Sequence, residues 1–367
     1  MIKTAQLNFL NKEKIFSIFI LFVIFLLSLF DLYFVKYGRI FDIIGISFFL
    51  FYALFFNKFP KKISNNEFII LLSLLFLFLL LPPIFKNYLT HGFVLVGFCC
   101  FVIIRRLNTN IIRLNLFRLI IILITLQYID YISYKFFYSS LFYFDNKIIL
   151  DVLRGYETNY FRPSGFFREA NSFATVITLL YLSQCKDSLP SLKLSALVVS
   201  SLILSNTMFG MGVAVIIFIL SLYKLKNFFL LKIFFILFFI LLIFTFSTDI
   251  LFYRFYNFVN EGSLHARLNF LNYDKFNLIK LLIPSGFHSL NLDGVYDKDQ
   301  LFGVNGFSFI FDGIGLYTFF FYFIILKKLK FIPGVFFLLL NLSYYIYLNF
   351  LFYFVMAIYF PKTLEKN

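Results

Sequence analysis

Long apolar runs, broken by short polar clusters, repeat along almost the whole chain. They lie at about 15–34, 40–57, 68–85, 91–104, 116–133, 171–185, 191–205, 207–223, 228–247, 306–326, 331–346 and 348–360. Runs of 15 to 20 residues recur, the length that carries a helix across roughly 30 Å of hydrocarbon at about 1.5 Å per residue. Backbone groups in lipid must be satisfied internally, and no period-two alternation of barrel strands is seen, so the runs predict helices. The fold class expected is an all-α integral membrane protein with about 12 transmembrane helices. Residues 331–360 read as two short spans or one long tilted helix, which gives 12 or 11.

Composition agrees with the pattern. Hydrophobic residues make up 61% of 367 positions, with 61 Phe, 14% charged residues and a mean hydropathy of +0.90. A water-soluble fold would have too few polar side chains to cover its surface. Cys99 and Cys100 fall in a span and Cys185 at a helix end, so the long loops hold no disulfide. The first span has no small-residue cleavage site and reads as an uncleaved anchor.

The net charge of +15 raises nucleic acid as a partner, and the placement of the charges removes it. With the N-terminus inside, the cytoplasmic segments hold 19 Lys and Arg against Glu13, Glu67, Asp187 and Glu365, which accounts for the whole +15. The short outer turns carry only Lys36, Arg39 and Lys86. The basic balance is therefore a topology signal, with anionic lipid as its partner and both termini cytoplasmic.

The chain reads as a single polytopic membrane domain, 1–367, without two similar halves, which weakens a transporter built on internal repeats. Two connections are long, and both fall outside. Loop A covers 133–170 and loop B 248–305. Both mix charges with aromatic residues, and long loops of that kind usually carry function. Loop B includes amphipathic LFYRFYNFV, suited to lying along a membrane surface.

The sharpest local signal is FRPSGFFREANSFA, residues 161–174, where loop A returns to the membrane. Asn171 or Ser172 is placed to cap the following helix, and Glu169 suits its positive end. Read as continuous helix, Arg162 and Glu169 stand seven residues apart and share a face. A guanidinium at the membrane surface matches phosphate oxygens with a planar fork. In the bland alternative, Arg162 and Arg168 touch lipid headgroups and Glu169 pairs with one of them. Ionisable residues also fall within or near spans: Asp31, Asp42, Asp130, Lys232 and Asp312. Such groups are functional hypotheses by default, although snorkelling or Lys–Asp pairing accounts for those near span ends. No metal-ligand cluster is visible and no cofactor is expected.

In these stretches the chain resembles the O-antigen polymerases of the Wzy type, within the O-antigen ligase and polymerase superfamily. Arg162-Pro163-Ser164-Gly165, then Glu169-Ala170 and Ala174, is similar to the family pattern that closes the first periplasmic loop, with Ala170 in place of the usual Pro. Arg267, the turn LLIPSGFHSL with Gly286 and His288, and Gly313-Ile314-Gly315 resemble the family's second loop and the helix after it. The likeness spans roughly 115–326, and its specificity lies in the order of degenerate motifs. Arg154 and Gly165 are separated by ten residues, as in some polymerase loops; Arg267 does not repeat that spacing, because position 278 is Leu. Superfamily ligases carry a His-Asn pair before the helix that follows loop B. Val304-Asn305 stands there instead, which tilts the reading toward a polymerase, although His288 offers an imidazole from another turn.

The resemblance implies a GT-C-like membrane fold and glycosyl transfer from undecaprenyl-diphosphate-linked oligosaccharide at the periplasmic face of a Gram-negative inner membrane. It implies Arg162 and Arg267 on the diphosphate and Glu169 as base. Arg154, Gly165, Asn171, Gly286, His288, Asn305 and Asp312 then surround the substrate. A chain-length regulator and a flippase are the implied protein partners. The rival readings are an O-antigen ligase, a lipid-linked oligosaccharide flippase or other transporter, and a structural membrane component.

Overall fold

The computed structural model describes residues 2–28, 40–55, 88–137, 163–167, 170–185, 189–224, 317–343 and 349–360, with further helical positions at 310 and within 65–75 and 233–241. Among the described residues the regular elements are all α-helices. In chain order they are α1 (Ile2–Ser28), α2 (Ile40–Phe55), α3 (Tyr88–Ile104), α4 (Thr109–Phe137), α5 (Ala170–Gln184), α6 (Leu192–Leu204), α7 (Met208–Lys224), α8 (Tyr317–Leu329), α9 (Phe331–Ser343) and α10 (Phe350–Tyr359).

Polar residues at the breaks in the apolar pattern start these helices. The Asn108 side chain accepts from the Asn110 N–H at 3.0 Å, and Ser191 from Leu194 at 3.4 Å. Thr207 accepts from Gly210 at 3.0 Å and Asn349 from Leu351 at 2.9 Å. Each satisfies a donor that the first turn leaves open. Asn349 has extended backbone, φ −94° and ψ 116°, so 331–360 is two helices rather than one long one. Between α6 and α7 the chain turns through Asn206 at φ 53°. Asparagine tolerates that left-handed conformation better than most residues.

α4 has 29 residues and is long and apolar enough to cross a membrane by length and composition; among the described residues the other apolar helical stretches are 10–17 residues long. It runs to Phe137, four residues past Ser133, where loop A is expected to begin. Its two faces are sorted in an unusual sense. Asn115, Gln127, Asp130 and Ser133 are buried, together with Leu116, Leu119, Ile120, Leu123 and Ile124. Leu114, Phe117, Ile121, Ile122, Ile129 and Ile132 are exposed. Four polar groups thus face the protein while apolar side chains, with Arg118 and Thr125, face outward, largely opposite to an amphipathic helix in water. Asp130 is fully buried, which rules out snorkelling for this residue. Exposed aliphatic and aromatic side chains continue on α2 and α8, among them Phe51, Leu54, Phe319 and Phe323.

α5 is the centre of the packing. Every residue in it except Asn171 and Gln184 is buried, and it touches α4, α6, α7, α9 and α10. Its small and hydroxyl side chains, Ala170, Ser172, Ala174, Thr175, Thr178 and Ser183, let neighbours approach on every side. Tyr181 meets the edge of Phe336 at 5.4 Å, and its hydroxyl lies 2.8 Å from Ser195 Oγ. α3 fits against α10 because Gly97 lacks a side chain: a Cβ there would lie 2.2 Å from Tyr353 Cε2. Small residues of this kind let helices approach where apolar burial alone gives little preference.

Candidate functional site

The candidate site is built at the end of α4 where the chain enters α5. Pro163, Ser164, Gly165, Phe166 and Phe167 form a tight turn. The Phe167 N–H donates to Ser164 O at 3.1 Å, and Ser164 Oγ donates to Phe167 O at 2.7 Å. Gly165 has φ +56° and lies against the α4 backbone, where a Cβ would come within 3.5 Å of Gln127 N and Leu126 C. That distance is ordinary contact. The left-handed backbone, rather than lack of space, is what favours glycine here. Phe167 is buried with its ring edge-on to Phe173 at 5.6 Å, which fastens the turn to the first turns of α5.

Gln127 joins this turn to two helices. Its carboxamide nitrogen donates to Pro163 O at 3.1 Å and to Ser201 O at 3.0 Å, and its carboxamide oxygen accepts from Ser201 Oγ at 2.5 Å. Beside it, the Tyr128 hydroxyl donates to Ser200 Oγ at 2.7 Å. The last turns of α6 and the second half of α4 are therefore stitched together by neutral polar groups. Leaving such a buried group without a partner costs about 1–3 kcal/mol. Asp130, one turn beyond Gln127, is fully buried in the same face of α4.

Of the expected site residues, Gly165 and Asn171 fall within the described part. Arg162, Glu169, Arg154, Arg267, Gly286, His288, Asn305 and Asp312 lie outside it, as do Asp31, Lys232 and most of loops A and B. Two local expectations are corrected. α5 begins at Ala170, so Asn171 and Ser172 sit inside its first turn rather than at its cap. Asn171 is half-buried, and Thr175 Oγ1 donates to its carbonyl at 2.8 Å. Ser172 Oγ is buried without a hydrogen bond among the described residues. The second correction concerns the stretch 163–167. It is a turn, not helix, because Pro163 has no N–H to give and Gly165 is left-handed. Helical periodicity therefore does not put Arg162 and Glu169 on one face.

Sequence reading missed Gln127, Tyr128, Ser200 and Ser201. A signal was available: Gln127, Asp130 and Ser133 recur every third residue inside an apolar run, which marks one helical face. Among the described residues there is no group of three or more His, Cys, Asp or Glu able to hold a metal ion.

The opposite end of α4 is basic. Arg105 and Arg106 pair with the buried Glu67 at 3.3 and 2.9 Å. Burial lowers the Arg105 pKa from its usual value, and the nearby Glu67 carboxylate opposes that shift. Arg113 donates to Gln184 O, and Gln184 Nε2 donates back to Arg113 O at 3.1 Å. The Tyr359 hydroxyl reaches the carbonyls of Leu182 and Cys185, and Lys224 Nζ reaches those of Leu189 and Pro190 at 2.9 Å each. Arg113 and Tyr359 thus cover carbonyls at the end of α5, and Lys224 covers carbonyls just before α6.

No protein-family model, curated protein or solved structure matches this chain.

Proposed function

We propose that this chain is a multi-pass protein of the Gram-negative inner membrane and an O-antigen polymerase. The membrane part of the reading is carried by α4, which buries Asn115, Gln127, Asp130 and Ser133 against the protein while its outward face is largely aliphatic and aromatic. That sorting suits a hydrocarbon solvent, and the exposed Phe and Leu of α2 and α8 agree with it. Patches of this extent on a soluble monomer would drive association. The glycosyl-transfer part rests on the order of motifs along 115–326. It is supported by the glycine-dependent turn that immediately follows Arg162.

Outside the cytoplasm there are no nucleotide sugars, so the donor is a saccharide on undecaprenyl diphosphate. Its anomeric carbon breaks from the diphosphate and bonds to a hydroxyl of the terminal sugar on an incoming lipid-linked repeat unit. The hydroxyl proton passes to Glu169. Arg162 and Arg267 stabilise the charge that builds on the departing diphosphate, an electrostatic role worth about 3 kcal/mol per donor in comparable sites. Both termini are cytoplasmic, and a flippase and a chain-length regulator work on the same lipid-linked intermediates.

The test is Arg162→Ala and Arg267→Ala in the native bacterium, read on a lipopolysaccharide gel at matched protein level. Each change is expected to remove the long ladder and leave core plus one repeat. Bare core without that first repeat would point instead to a ligase of the same superfamily. Wild-type ladders from both variants would falsify the glycosyl-transfer roles.

A further inference from the structure

We infer, on the footing of the glycosyl-transfer reading above, that Gln127 is a positioning residue of the site, acting through the Pro163 carbonyl on the neighbouring Arg162. Pro163 has no N–H, so its carbonyl is the one backbone polar group by which the chain can be held at that point. Gln127 holds it at 3.1 Å from a side chain that is fully buried and fixed on its other sides by Ser201. The pyrrolidine ring locks φ of Pro163, so the carbonyl that Gln127 holds is rigidly coupled to the peptide bond before it. Two more contacts prevent the turn from sliding along α4. Gly165 rests against the Leu126–Gln127 backbone, and Phe167 is wedged on Phe173.

The choice of residue is informative. Glutamine offers two N–H donors and one acceptor oxygen, and all three are engaged with two different segments. A purely apolar contact would fill the volume with Leu or Met at lower desolvation cost. A buried carboxamide shared between α6 and the start of the 163–167 turn does something packing does not: it fixes an orientation. Errors of about 1 Å in a catalytic group can cost roughly a hundredfold in rate.

The experiment uses the full-length chain purified in lipid, with the undecaprenyl-diphosphate-linked repeat unit from a strain lacking this chain as substrate. Gln127→Met keeps length and volume and removes the donors. The expected result is a kcat lowered tenfold or more, with KM within threefold and the thermal midpoint within a few degrees of wild type. In an Arg162→Lys background the same change is expected to lower kcat less than threefold, because the group being positioned has already been altered. Pro163→Ala keeps the carbonyl and frees φ, and is expected to lower kcat at least threefold. If Gln127→Met folds and keeps wild-type kcat while Arg162→Ala is inactive, the positioning role is overturned and the glycosyl-transfer reading stands. Should Gln127→Met fail to fold, an unchanged kcat in Pro163→Ala overturns it equally. An active Arg162→Ala sinks the positioning role, and activity in Arg267→Ala as well sinks the glycosyl-transfer reading.

Discussion

The two ends of α4 are held in different ways. At the basic end, charged side chains do the holding. Glu67 joins Arg105 and Arg106, Arg113 reaches Gln184 O, and Lys224 covers Leu189 and Pro190. At the loop end, some 20 Å further along at about 1.5 Å per residue, the fasteners are a carboxamide, hydroxyls and a glycine turn. Cations at the basic end are committed to carbonyls and a carboxylate, and their work is structural. Neutral groups at the loop end give the incoming chain a fixed course, with Asp130 buried one turn beyond them. The same residue type, arginine, therefore has opposite expected roles at the two ends.

The sharpest way to break this comparison is Glu67→Ala. It leaves Arg105 and Arg106 facing each other in a largely buried turn, and removal of one partner from such a pair costs about 3–5 kcal/mol. The thermal midpoint should fall steeply while kcat per folded molecule stays at wild type; a kcat that falls in step would erase the distinction. Next is Arg113→Met, which uncovers Gln184 O and should cost about 2 kcal/mol, the usual range for hydrogen bonds from charged groups. Turnover should again be unaffected.

At the loop end, Gly165→Ala meets no atom closer than 3.5 Å, so its cost is the left-handed strain, about 1–2 kcal/mol. Gly165→Asn should cost less, since asparagine visits that region. Unlike the changes at the basic end, both should lower turnover, with alanine the worse. Equal turnover in the two variants would mean that the backbone angle is not what matters. The smallest effect is expected from Tyr128→Phe, about 1 kcal/mol for one neutral hydrogen bond to Ser200, measured by thermal unfolding in detergent.

Much of the helical layout was legible from the apolar runs, because a run that must satisfy its own backbone in lipid leaves few alternatives. The starts of α6, α7 and α10 fall within a residue or two of the pattern, as Ser191, Thr207 and Asn349 sit where the polarity changes. Ends were less legible. α4 runs past Ser133 to Phe137, since Tyr134, Lys135 and Phe136 are good enough helix residues to continue it. In the 161–174 stretch the shared face of Arg162 and Glu169 holds only for a continuous helix, and Pro163 and Gly165 are the local signals for the turn found at 163–167. Gln127 escaped notice for a different reason. Its importance comes from partners 36 and 74 residues away, and long-range pairing leaves no local trace beyond a polar residue in an apolar run.

The sorting of α4 also bears on the order in which the molecule is made. Synthesis proceeds from the N-terminus, so α4 is complete before α5 and α6 exist to receive Gln127. Until then its carboxamide and the Asp130 carboxyl have only earlier segments for company, among which α1 packs against α4. Biogenesis must shelter a half-finished polar stripe through that interval. A chain truncated after Phe137 should accordingly be a ready substrate for membrane quality control, while one extended past Leu204 should escape it.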